Sequence, residues 1–148
     1  MNKRILPVST IDQRAVSRKP VLLVVDRYKG IAECVERMLG NSCDLPRDTR
    51  PVSDFGQAVR LLYEYRPDIV LSEKAFDLAI PDSCRELLVT VKRHNPNAKM
   101  IIYSTVVGEE EQGKGGFSFD AVVLKGDVLG LKEAVRFLIT QIQNKTQF

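Results

Sequence analysis

Four short polar groups, each closing an apolar run, are the residues of this chain best placed to do chemistry. Asp26-Arg27 follows Val21–Val25, and Ser72-Glu73-Lys74 follows Asp68–Leu71. Ser104-Thr105 follows Met100–Tyr103, and Lys125-Gly126 follows Ala121–Leu124. If the four runs lie side by side, two carboxylates, a hydroxyl, an ammonium and a guanidinium meet at one rim. Such a set can hold a phosphoryl group or a metal ion, or it can neutralise its own charges. Other chemistry lacks partners. The single histidine, His94, precedes Asn95-Pro96 at an expected helix end, and neither a metal site nor a Ser-His-Asp triad can be built around it. Three cysteines, Cys34, Cys43 and Cys84, are odd in number and widely spaced, which fits neither a disulfide framework nor a zinc knuckle.

The elements that must position these residues are legible from periodicity. The four runs are rich in Val and Ile without polar alternation, the pattern of strands buried on both faces of a parallel sheet. Helical spacing lies between them. Ile31, Cys34, Val35, Met38 and Leu39 form one stripe, stopped at Gly40, which would bury the Cys34 thiol. Ser53 can cap a second helix carrying Phe55, Ala58, Val59, Leu62 and Tyr65 and ending before Pro67. A third starts near Pro81-Asp82 with Leu87, Leu88 and Val91 inward. The last runs from about Val128 to Gln143, capped by Asp127, with Leu131, Ala134, Val135, Leu138 and Ile142 on one face. Tyr63, Tyr65 and Tyr103 read as packing residues with wet hydroxyls. Residues 44–52 hold Pro46 and Pro51 and can supply an edge strand at best. Five strands alternating with helices predict an α/β, flavodoxin-like, doubly wound five-stranded parallel sheet of order 2-1-3-4-5, helices on both faces, with its functional crevice at the carboxyl ends of the strands.

With 148 residues, 44% of them apolar and 28% charged, the chain is long enough for one core. The expected division is a basic N-terminal tail over 1–19, one domain over 20–144 and a C-terminal tail over 145–148. Lys3, Arg4, Arg14, Arg18 and Lys19 stand against Asp12 in the tail, so that segment carries +4 while the whole chain carries +3. No aromatics interleave with these charges, and a solvated tail is expected rather than a nucleic-acid arm. No apolar run approaches the roughly 20 residues of a membrane span, and no secretory signal is visible, so a cytoplasmic protein is expected. Gly108 to Gly115 approaches a phosphate-binding loop but puts glycine where that loop needs a hydroxyl, carries Glu109, Glu110 and Glu111, and precedes a strand.

The segments KPVLLVVDRYKGIAECVERML, RPDIVLSE, KMIIYST and DAVVLKGD, in this order, resemble the receiver domain of bacterial two-component response regulators over about residues 19–143. The intervals agree too: 46 residues from Arg27 to Glu73, 31 from Glu73 to Ser104 and 21 from Ser104 to Lys125. The resemblance implies a phosphorylation pocket at Asp26, Arg27, Glu73, Ser104 and Lys125. It also implies a partner-binding face made by the family's fourth helix, fifth strand and fifth helix, here roughly Thr105–Gln143, with Tyr103, Thr105, Val106, Lys125 and Leu131 on it.

Residue by residue, the match is degenerate. The family holds magnesium with two acids after its first strand; Asp26 fits the first, and Arg27 replaces the second. Glu73 stands at the phosphoacceptor aspartate. Ser104 and Lys125 fit, but Gly126 replaces the usual proline, and Lys74–Ile80 replaces a Met-Pro pair. Phosphoryl transfer to a carboxylate needs Mg²⁺ between donor and acceptor, and an arginine repels that ion. Arg27 and Glu73 are therefore expected to pair with each other or with Asp26 and Lys125. The implied function is an atypical (pseudo-receiver) signalling domain. It would act on a protein partner or as a homodimer, without enzymatic activity, cofactor or metal, Asp26 being the one weak metal candidate. Two alternatives stand beside it. One is a working phosphoacceptor using Glu73 or Asp77 with Asp26 and Mg²⁺; the other is an unrelated flavodoxin-like ligand-binding module. No helix-turn-helix pattern follows residue 143, so no specific DNA binding is expected.

Overall fold

A computed structural model describes residues 19–40, 42–46, 51–105 and 119–146, and of 145–146 the backbone alone. The apolar runs become β1 (Leu22–Val25), β2 (Ile69–Ser72), β3 (Lys99–Ser104) and β4 (Ala121–Leu124). The helical stripes become α1 (Ile31–Leu39), α2 (Phe55–Tyr65), α3 (Ser83–His94) and α4 (Val128–Thr146). The strands form one parallel sheet in the order β1-β2-β3-β4.

Both faces of the sheet are covered, as unbroken apolar strands require. On one face Leu23, Val25, Val70, Met100 and Ile102 pack with Ala58 and Leu62 of α2 and with Leu87, Leu88 and Val91 of α3. On the other, Leu22, Val24, Ile69, Leu71 and Ile101 pack with Val35 and Leu39 of α1 and with Leu131, Val135 and Leu138 of α4. Strand alternation thus sends successive residues into two separate cores, one per helix pair.

The structure departs from expectation at several points. The sheet among the described residues has four strands, not five. Where the edge strand was expected, the described residues form a single parallel bridge, between Val21 and Asp44. Asp44 receives the Leu22 N–H and gives its own N–H to Pro20 (2.8 and 2.9 Å), Pro46 follows two residues on, and 47–50 lie outside the described residues. Cys34 is exposed, not buried: Val35 and Leu39 carry the buried stripe of α1, and Cys34 sits at its flank with Arg37 Nη2 3.8 Å from its Sγ. The cap of α2 is Asp54, not Ser53; its carboxylate accepts the Gln57 N–H at 2.9 Å. Tyr63 is exposed, with its ring edge-on to His94. The expected α4 cap is in place: Asp127 Oδ1 accepts the Gly130 N–H at 2.9 Å, and the helix runs three residues beyond Gln143. Among the described residues no helix is long and apolar enough to cross a membrane. The glycine-rich stretch 108–115 lies outside them.

Candidate pocket at the carboxyl ends of the strands

Register decides which residues meet. Val25 pairs with Ser72, so Asp26 and Glu73 leave the sheet at one level. Ser104 pairs with Leu124, so Lys125 emerges beside Ser104, whose backbone carbonyl accepts the Lys125 N–H at 2.9 Å. The structure therefore brings Asp26, Arg27, Glu73, Ser104 and Lys125 to one rim.

At that rim the charges pair. Lys125 Nζ stands 2.9 Å from Asp26 Oδ2 and 3.8 Å from Glu73 Oε1. Arg27 Nε stands 3.3 Å from Glu73 Oε2. This last contact is Coulombic; the N–H is not aligned on the oxygen, and both atoms are otherwise buried without a hydrogen-bond partner among the described residues. Asp26 Oδ1 accepts the Tyr28 N–H at 2.8 Å. The two acids and two bases sum to zero charge. Asp26, Glu73 and Ser104 are all buried. Burial pushes the Glu73 carboxyl above its ordinary range, and the neighbouring Asp26 carboxylate pushes the same way. Lys125, the Arg27 guanidinium and the Arg27 backbone N–H pull it back without cancelling the rise.

Tyr28 is a member of the cluster that sequence reasoning missed. Lys125 Nζ and the Arg27 guanidinium each lie 4.5 Å from its ring centroid, and Arg27 Nη2 donates to its hydroxyl at 2.7 Å. One half-exposed aromatic ring thus holds both cations over the acids. The signal was its place directly after Asp26-Arg27.

Asp77, the alternative acceptor, is committed elsewhere. Its Oδ2 accepts the Phe55 N–H (2.8 Å) and its Oδ1 the Ala79 N–H (2.9 Å). Its own N–H reaches Ser83 Oγ at 3.2 Å. With Phe76 fully buried beside it, Asp77 fastens the long 74–80 loop to the start of α2.

The pocket does not fit magnesium. That ion demands several oxygens in near-octahedral order. Here one Asp26 oxygen holds a backbone N–H and the other an ammonium, and a guanidinium stands on Glu73. A divalent cation would enter beside two positive charges that already neutralise both acids.

Of the expected interaction face, Thr105 is exposed and Lys125 is partly so. Tyr103 and Leu131 are corrections. Tyr103 is buried, its hydroxyl accepting the Gly126 N–H at 3.4 Å, and Leu131 is fully buried in the α1–α4 core. Helix spacing turned Leu131 toward the sheet with Val135 and Leu138, so it cannot meet a partner. The apolar side chains left outward there are Leu124, Val128, Leu129 and Phe137. Val106 lies outside the described residues.

No family model and no curated protein matches the chain. Solved structures do. The signal receiver domain of an HD domain-containing protein from Pseudomonas fluorescens Pf-5 superposes with a TM-score of 0.68 at 20% identity, covering 86% of this chain and 99% of that one. The signal receiver domain of the putative response regulator NarL from Mycobacterium tuberculosis gives 0.65 at 16% identity, over 83% and 98%. A mutant of the anti-anti-sigma factor PhyR from Bartonella quintana gives 0.68 at 12% identity over 96% of this chain, which spans 57% of that one. The shared property is the receiver-domain fold.

Proposed function

Starting from a receiver-domain fold whose acid pocket is filled by its own cations, we propose that this chain is a signalling domain that works by binding a protein partner, without Mg²⁺-dependent phosphorylation of an aspartate. One observation carries the reading: both Asp26 oxygens are already engaged, one by the Tyr28 N–H and one by Lys125 Nζ. A phosphoryl group arriving at Glu73 would meet no metal to offset its charge, and the carboxylate stands displaced by one methylene from the position an aspartate would take. The outward Leu124, Val128, Leu129 and Phe137 support the binding half of the proposal, since apolar side chains grouped on a small domain mark interaction sites. Leu124 and Phe137 line an open groove of about 660 Å³ between β4 and α4.

Incubation with acetyl phosphate and Mg²⁺ followed by intact-mass spectrometry tests the reading. The expected result is an unmodified chain under conditions that fully phosphorylate a conventional receiver run in parallel. Accumulation of a phosphoryl adduct that Glu73→Gln abolishes would favour the phosphoacceptor reading.

A further inference from the structure

At the opposite end of the sheet, below the strands' amino ends, a cleft of about 460 Å³ opens between the carboxyl ends of α2 and α3. That volume falls within the roughly 300–1,000 Å³ usual for small-ligand sites. Its floor is apolar and nearly solvent-free: Leu62, Val91 and Ala98 are each buried. Its rim is polar and flat. Tyr63 is 60% exposed and meets the His94 ring edge-on, 4.1 Å between centroids. Arg66 is exposed beside them and makes no ion pair among the described residues.

Arg66 occupies a costly conformation. It ends α2 with φ 46° and ψ 61°, the left-handed region, and is the one described non-glycine residue with positive φ. Glycine adopts that conformation more easily at this helix position. A long cation held there at the lip of an apolar cleft is the kind of outlier from which function is reasonably inferred. None of the residues around the cleft is Asp or Glu.

We propose that this cleft binds a small aromatic carboxylate. The ring would enter over Leu62 and Val91 and against Tyr63 and His94, and the carboxylate would pair with the Arg66 guanidinium, a fork that matches two carboxylate oxygens. The helix ends refine the class. Both helices point their carbonyl ends here, a field that opposes a bare inorganic anion in the cleft. A ligand whose charge stays at the rim while an apolar body enters avoids that opposition. The site lies away from Asp26, Glu73 and Lys125, and its occupancy stands or falls independently of how the pocket there works.

The test titrates the ¹⁵N-labelled full chain with naphthalene-2-carboxylate, and separately with 2-naphthylmethylamine, by amide NMR. The expected result is a set of shifts at Tyr63, Arg66, Val91, His94 and Asn95 that saturates with a Kd of about 1 mM or tighter, while Asp26, Glu73 and Lys125 stay still. Arg66→Gly suits the left-handed turn and so keeps the fold, and it should weaken the carboxylate about tenfold through loss of the charge-assisted pair. The amine should bind more weakly than the carboxylate. Absence of saturation, equal affinity for the amine, or unchanged binding to Arg66→Gly each overturns the proposal.

Discussion

Replacing Lys125 with methionine keeps the side chain's bulk and removes the charge that both acids share. In the native pocket Lys125 Nζ lies 2.9 Å from Asp26 Oδ2 and 3.8 Å from Glu73 Oε1, with side-chain exposures of only 12%, 3% and 9%. Removing one partner of a buried ion pair costs about 3–5 kcal/mol, because the other charge stays desolvated and unpaired. Arg27 still faces Glu73, and the half-exposed Tyr28 admits water, so the lower figure applies, about 3 kcal/mol. In a chain of this length that lowers Tm by roughly 10 °C. The loss must also depend on pH. Burial and Asp26 already raise the Glu73 carboxyl, and without Lys125 it rises further. The folded variant then holds a proton that the unfolded chain has lost, so its stability falls as pH rises above the ordinary 4.5 of a glutamate. Urea denaturation of both proteins near neutrality and near pH 5 measures this directly. The deficit of Lys125→Met should shrink at the lower pH. A deficit below about 1 kcal/mol at neutrality, the value of a surface pair, or one that does not change with pH, would refute the reasoning.

Four other substitutions probe the same account. Glu73→Gln removes a carboxyl whose raised pKa costs native stability as pH rises, so its stability relative to the parent should climb between about pH 4.5 and neutrality; a flat difference in urea midpoints contradicts this. Asp54→Ala deletes the α2 cap and should cost about 1 kcal/mol by the same assay, whereas Ser53→Ala should cost almost nothing. Leu131→Ala should cost about 3 kcal/mol as a core cavity; a near-neutral effect on stability with loss of partner binding would instead return Leu131 to the surface.

Much of the fold was legible because the chain states it in periodicity. Unbroken Val and Ile runs between helical stripes can only be strands covered on both faces, and four of them appear where the pattern puts them. Pairing between residues distant in sequence was less legible. Residues 44–52 carry too many prolines and polar groups for periodicity to distinguish a strand from a loop, and the described part forms a single bridge. Cys34 shows the limit within helices: a stripe names a set of residues, but which of its flanks turns to solvent depends on where the sheet lies. Leu131 is buried where helical spacing put it, and its place on the interaction face came from the resemblance alone. The cap fell on Asp54 and not Ser53 because one residue of phase is beyond any hydrophobic pattern. At the pocket, residue types and spacing foretold which charges meet. The role of Tyr28 was not foretold, since an aromatic ring serving two cations needs both of them placed in space.

The most direct test of the closed pocket is an amide NMR titration with Mg²⁺ and then beryllofluoride, which mimics a bound phosphoryl group. The account predicts that the resonances of Asp26, Tyr28, Glu73, Ser104 and Lys125 stay where they are, because Lys125 and Arg27 already fill the places of metal and phosphate. Concerted, saturable shifts of those resonances would contradict it and make the chain a conventional switch with unusual ligands.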